Sequence, residues 1–142
     1  HNRSILLENN NEIISLVGIT DPAFHVNEND PKGIKTQITE NLKVAIPNNN
    51  HFKILLSHRP EHIDIYAEHN ANLVLSGHAH GGQIRFPFKN GIIAPGQGFF
   101  PKYTSGLYEE NKTKLIVSRG IGNSIAPVRV FDRPHLIYTI IE

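Results

Sequence analysis

The 142-residue chain contains no cysteine, no methionine and no tryptophan. Without cysteine there is no disulfide, no thiolate metal site and no cysteine nucleophile. The lack of methionine, together with an opening of His1-Asn2-Arg3, sets the expectation that the chain is a piece of a longer translation product. No apolar run approaches the roughly 18 residues that a membrane-spanning helix requires, and no signal-peptide pattern opens the chain. An excess of charge is missing too. A formal net charge of +1 without a Lys/Arg cluster leaves no electrostatic footprint for nucleic acid.

What is present is an alternation of strand-like and helix-like segments, which points to an α/β domain. Residues 3–7 and 13–19 are apolar stretches joined by an asparagine-rich link, the pattern of a β-hairpin. Asp30-Pro31 has the form of a helix start, and Ile34, Ile38, Leu42 and Ala45 follow at helical spacing until Pro47. Residues 52–57 read as a buried strand, 60–69 as a helix carrying Ile63, Tyr66 and Ala67, and 72–76 as the next strand. Together they form a compact parallel crossover. The stretch 91–108 is rich in glycine, proline and aromatics and reads as a shaped loop. Residues 115–118 and 135–141 read as two further strands. No repeat or linker divides residues 1–142, so a single domain is expected.

The most chemically loaded stretch is the apolar run at 73–76 and its exit, Gly77-His78-Ala79-His80-Gly81-Gly82-Gln83. In extended backbone, residues two apart face the same side, with Cα atoms roughly 6.5–7 Å apart, a span that suits ligands of adjacent metal ions. A surface loop is the competing reading of the pair. His58 follows the preceding strand, and neighbouring parallel strands lie about 4.8 Å apart, so its ring can converge with that of His78. His58, His78 and His80 are therefore the expected metal ligands, and three imidazoles suit zinc, iron or manganese. The carboxylates read as poor partners: Asp21 precedes a proline, Asp64 lies inside a helix and Asp132 sits in a late turn.

Four motifs carry a family resemblance. Ser57-His58-Arg59-Pro60, the glycine-histidine turn above, Ala94-Pro95-Gly96-Gln97-Gly98 and Ser118-Arg119-Gly120-Ile121-Gly122-Asn123-Ser124 resemble the C-terminal half of calcineurin-like metallophosphoesterases. The likeness is to the bacterial branch with envelope-associated phosphodiesterases and UDP-2,3-diacylglucosamine hydrolases. It implies half of a four-layer sandwich, a mixed β-sheet flanked by helices, and a parent enzyme with two divalent metal ions (Mn, Zn or Fe). It implies His58 and His78 as ligands of one ion and His80 of the other. It also makes Arg119 a phosphate clamp, against a surface salt bridge, and Gln83 and Asn123 substrate-side residues, against simple turn formers. The substrate class implied is a phosphate-containing small molecule or a lipid-linked one, in a bacterial, membrane-associated or exported setting.

The family's Asp-x-His, Gly-Asp and Gly-Asn-His motifs have no counterpart in this sequence. The bridging carboxylate and the leaving-group acid are thus expected in an N-terminal half outside this chain, which itself holds no catalytic acid. An isolated piece is expected to be weakly active or inactive, and to associate with that half or with itself through an apolar sheet face. Two other readings remain open: an autonomous mononuclear site of three histidines, and a non-catalytic interaction fragment.

Overall fold

Two adjacent asparagines start the fold. Asn10 and Asn11 both take positive φ, 49° and 67°, and close the hairpin between β1 (Arg3–Asn9) and β2 (Glu12–Gly18). Asparagine tolerates this region better than most side chains, and such turns match the twist of paired strands. The computed structural model describes residues 2–85, 91–122 and 129–141. Helix α1 (Pro31–Ala45) begins where expected, with the Asp30 side chain accepting from the Gly33 amide at 3.0 Å and Pro31 in the first turn.

Strand β3 (Phe52–Leu56), helix α2 (Ile63–Glu68) and β4 (Leu73–Ser76) form the expected parallel crossover. The helix is shorter than the sequence pattern implied. Its first turn, Pro60–His62, tightens into a 3-10 turn, and Asn70, at φ 58°, ends it in left-handed backbone. The stretch read as a shaped loop holds more order than that: a two-residue pair, β5 (Ile93–Ala94) and β6 (Gly98–Phe99), and then strand β7 (Gly106–Glu110). Strand β7 turns through Asn111 into β8 (Thr113–Val117). The six-stranded sheet runs β1-β2-β3-β4-β8-β7, parallel from β2 through β8 and antiparallel at both edges. The fold is α/β with a mixed sheet.

The two faces of the sheet differ. Val17, Leu55, Val74 and Leu115 stand in register across the four parallel strands, and all four are fully buried. They pack under Ile34, Ile38 and Leu42 of α1 and Ile63 and Tyr66 of α2. The opposite face carries rows of equal length, Ile5–Leu16–Ile54–Leu73 and Leu56–Leu75–Ile116–Leu107. Ile5, Leu56 and Leu107 on it are 51%, 42% and 63% exposed. No helix among the described residues is long and apolar enough to cross a membrane.

The strand expected at 135–141 does not form. Among the described residues that segment joins the body at His135, which bridges to Gly120 and accepts from Ser118 Oγ at 3.2 Å, and Leu136, Tyr138 and Ile140 are exposed. Its β-branched and aromatic residues favour a strand, but a strand also needs a partner edge.

Candidate metal and phosphate site

Strands β2, β3, β4 and β8 all deliver their C-terminal ends to one edge, where open α/β sheets place ligands. The ladder runs one residue further at each exit: Ser57 N donates to Leu75 O at 3.2 Å, and Ser118 N to Ser76 O at 2.9 Å. His58, His78 and Arg119 are the next residues off that frame or one beyond, which is why the edge gathers them.

His58 and His78 come together. Their ring centroids are 4.3 Å apart with planes inclined at 53°. Burial, reinforced by His58 beside it, pushes the His78 imidazole down to about 4, so it is neutral at pH 7. Its Nε2 is buried and makes no hydrogen bond. A neutral imidazole with a free buried nitrogen is what a metal ion requires.

The geometry around His80 departs from expectation. His78 and His80 both take positive φ, 62° and 45°, and His80–Gly82 form a 3-10 turn. The histidine pair therefore lies in a turn, and the same-side argument for extended backbone does not apply to it. The cause is the short strand: β4 stops at Ser76, and the Ala79 amide folds back to Gly77 O at 2.6 Å. His80 is nonetheless within electrostatic reach of His58; burial comes first, then Arg129 and His58, in lowering its pKa.

Two of the three carboxylates that read as poor partners, Asp21 and Asp132, frame the site, while Asp64 pairs with Lys35 on the exposed helix surface. Asp21 follows β2 and puts Oδ2 3.6 Å from His58 Nε2. Its Oδ1 accepts from the Ala23 amide at 3.0 Å and from Arg59 Nε at 2.9 Å. Burial pushes the Asp21 carboxyl up, but that amide, the Arg59 guanidinium and His58 outweigh it and hold it below the usual carboxylate range. Arg59 is itself buried, and its carbonyl accepts from Tyr66 Oη at 2.7 Å. The signal available in the sequence was position: Asp21 leaves β2 at the edge from which His58 leaves β3.

Asp132 was set aside as a late turn, yet its carboxyl is fully buried beneath the histidine turn. Arg119 Nη1 lies 3.6 Å from one oxygen and Arg129 Nη1 3.3 Å from the other. Arg129 Nη2 also donates to the carbonyls of Arg119 and Gly122. Gly81 makes this stacking possible, since it sits at φ 64° and a Cβ there would collide with the Asp132 carboxylate. The Arg119 side chain is thus engaged in an ion pair at the rim of the site. Gln83 closes the turn through its backbone, its amide donating to His80 O at 3.0 Å. Asn123 lies outside the described residues.

A divalent ion fits part of this arrangement. His58 and His78 offer two apposed imidazoles, one with an orphaned buried nitrogen. Among the described residues, however, no group of three His, Asp or Glu side chains is arranged to hold an ion. A three-histidine centre closed by this chain alone is not supported by that geometry.

Comparison with known proteins follows the same line. Metallophosphoesterase YkuE of Bacillus subtilis is 40% identical over 90 residues, covering 63% of this chain and 31% of that protein. UDP-2,3-diacylglucosamine pyrophosphatase LpxG of Chlamydia muridarum is 32% identical over an alignment of 142 positions, covering 96% of this chain and 39% of that protein. Phosphodiesterase YaeI of Escherichia coli is 30% identical over 84 residues, covering 59% of this chain and 30% of that protein. The chain thus spans about a third of the length of the curated relatives it matches. No family model matches the chain, and no solved structure matches it. By sequence and fold, the chain belongs to the metallophosphoesterases, as a partial, C-terminal match to longer bacterial members.

Proposed function

We propose that this chain supplies one wall of a two-metal phosphodiesterase or pyrophosphatase site, with His58 and His78 holding one ion and His80 the other. The observation that carries the reading is the apposition of His58 and His78 at the strand exits, with His78 Nε2 buried and unbonded. A divalent pair, when bound, supplies Lewis acidity toward a phosphoryl oxygen and a hydroxide at neutral pH. Asp21 steers the His58 ring, and Arg59 holds Asp21 in place. The Asp132 clamp fixes the turn that presents His80, and Arg119 at its rim is the guanidinium this reading assigns to a substrate phosphate.

The remaining ligands, a bridging carboxylate and the leaving-group acid come in this reading from an N-terminal part of the same protein. The substrate class is a phosphodiester or pyrophosphate, carried on a small molecule or a lipid.

The test is a hydrolysis assay on a bis-aryl phosphate with manganese. The isolated chain is expected to show no turnover above free metal, and turnover is expected when it is produced joined to its N-terminal part. His78→Ala in the joined form is expected to lower the rate by about 10²-fold or more, with weaker metal retention on a chelating column. Robust turnover by the isolated chain, or an unaffected His78→Ala protein, would overturn the proposal.

A further inference from the structure

At the opposite end of the sheet from the histidines, the loops entering β3 and β4 enclose a cleft of about 590 Å³. Lys43, Lys53, His51, His69 and several asparagines line it, and no acidic residue does. Lys53 is the unusual member, because it sits on β3 and is only 7% exposed. Its Nζ donates to Asn49 O at 2.5 Å and His51 O at 3.4 Å. An ammonium has three donors, and among the described residues the third finds no acceptor and no carboxylate neutralises the charge.

Burying a cation is costly unless it is paired, and two neutral carbonyls leave its charge uncancelled. A second group in the same cleft is incomplete. His51 Nδ1 is buried without a hydrogen bond. The loop between them is held firmly by side chains: Asn49 bonds Ser15 Oγ and the His51 amide, and Asn72 Oδ1 accepts from the Lys53 amide at 2.8 Å. Lys43, at the rim, is paired with Glu40 at 2.9 Å, so the unbalanced charge is that of Lys53.

We propose that this cleft is a second ligand site, taking a small oxyanion of the phosphate class. The anion would receive the third proton of Lys53 and a hydrogen bond from the His51 ring. Its place at the far end of the sheet separates it from the histidine edge, so it stands whether or not the phosphoesterase reading does.

Titration of the chain with inorganic phosphate at constant ionic strength, followed by amide resonances, tests it. Saturable shifts are expected at His51, Lys53, Asn70 and Asn72, with a millimolar dissociation constant, and they are expected to persist in His78→Ala. Lys53→Met, close to isosteric, is expected to weaken binding by about tenfold or more, and Lys53→Arg to retain it. If Lys53→Met fails to fold by circular dichroism, His51→Leu carries the comparison, with binding weakened several-fold. Shifts confined to the residues around His58 and His78, linear non-saturating shifts, or unchanged affinity in these variants would overturn the proposal.

Discussion

Single residues in this chain owe their character to what surrounds them, and His62 shows it most clearly. It sits in the turn that follows His58 and is buried, with Nδ1 unbonded. Burial pushes its imidazole down to about 4, with Asp64 raising it and Lys35 lowering it to a smaller extent. A base whose folded pKa lies below its unfolded value is protonated first in the unfolded chain. Stability is therefore complete above the unfolded value near 6.5 and falls as pH drops toward 4. One pKa unit corresponds to about 1.4 kcal/mol, so lowering pH from 6.5 to 5 is expected to remove about 2 kcal/mol through His62. Urea unfolding at pH 7 and pH 5 measures this, and His62→Phe is expected to flatten the difference by that amount. An identical pH dependence in wild type and variant would sink the argument.

At the scale of elements, the turn at the exit of β4 is the most constrained piece. Gly81 has a left-handed φ and lies against the buried Asp132 carboxylate that two arginines hold. Gly81→Ala adds both backbone strain and a collision, and is expected to cost about 2–4 kcal/mol in thermal or chemical unfolding. It should also displace His80. A variant within 0.5 kcal/mol of wild type, on the order of a neutral surface change, would contradict this account. Elements written in local patterns were legible in the sequence: the asparagine hairpin, the Asp30 cap, and the parallel crossover that brings His58 to His78. Elements that depend on a distant partner were not. Strand β7 was hidden in a glycine-rich stretch because its pairing with β8 decides it. The segment at 135–141 has strand-like residues, yet among the described residues only His135 bridges to another part of the chain, at Gly120. Asp21 and Asp132 were misjudged for the same reason, since each matters through a contact distant in the chain, Asp21 with Arg59 and Asp132 with Gly81.

On the scale of the molecule, the two faces of one sheet decide the behaviour in solution. The rows Val17–Leu55–Val74–Leu115 and Ile5–Leu16–Ile54–Leu73 are equally apolar, yet the first is fully buried under helices while the second is buried at Ile54 and Leu73 and open at Ile5. Covering a large aliphatic side chain contributes about 1.5–3 kcal/mol, and the open face presents Ile5, Leu7, Phe52, Leu56 and Leu107 substantially exposed. Two copies meeting face to face would bury these rows with the geometry of a sheet sandwich. The chain on its own is therefore expected to sediment as a dimer or larger species at low micromolar concentration. Leu56→Lys and Leu107→Lys point charges into that interface and are expected to shift the population toward monomer, while the circular dichroism stays that of the folded chain. Under the proposed function, joining the chain to an N-terminal part is expected to do the same, because a second sheet would then come from within one molecule. A wild-type chain that remains monodisperse and monomeric at tens of micromolar would show that the open face is stable in water as it stands, and that neither partner is needed to cover it.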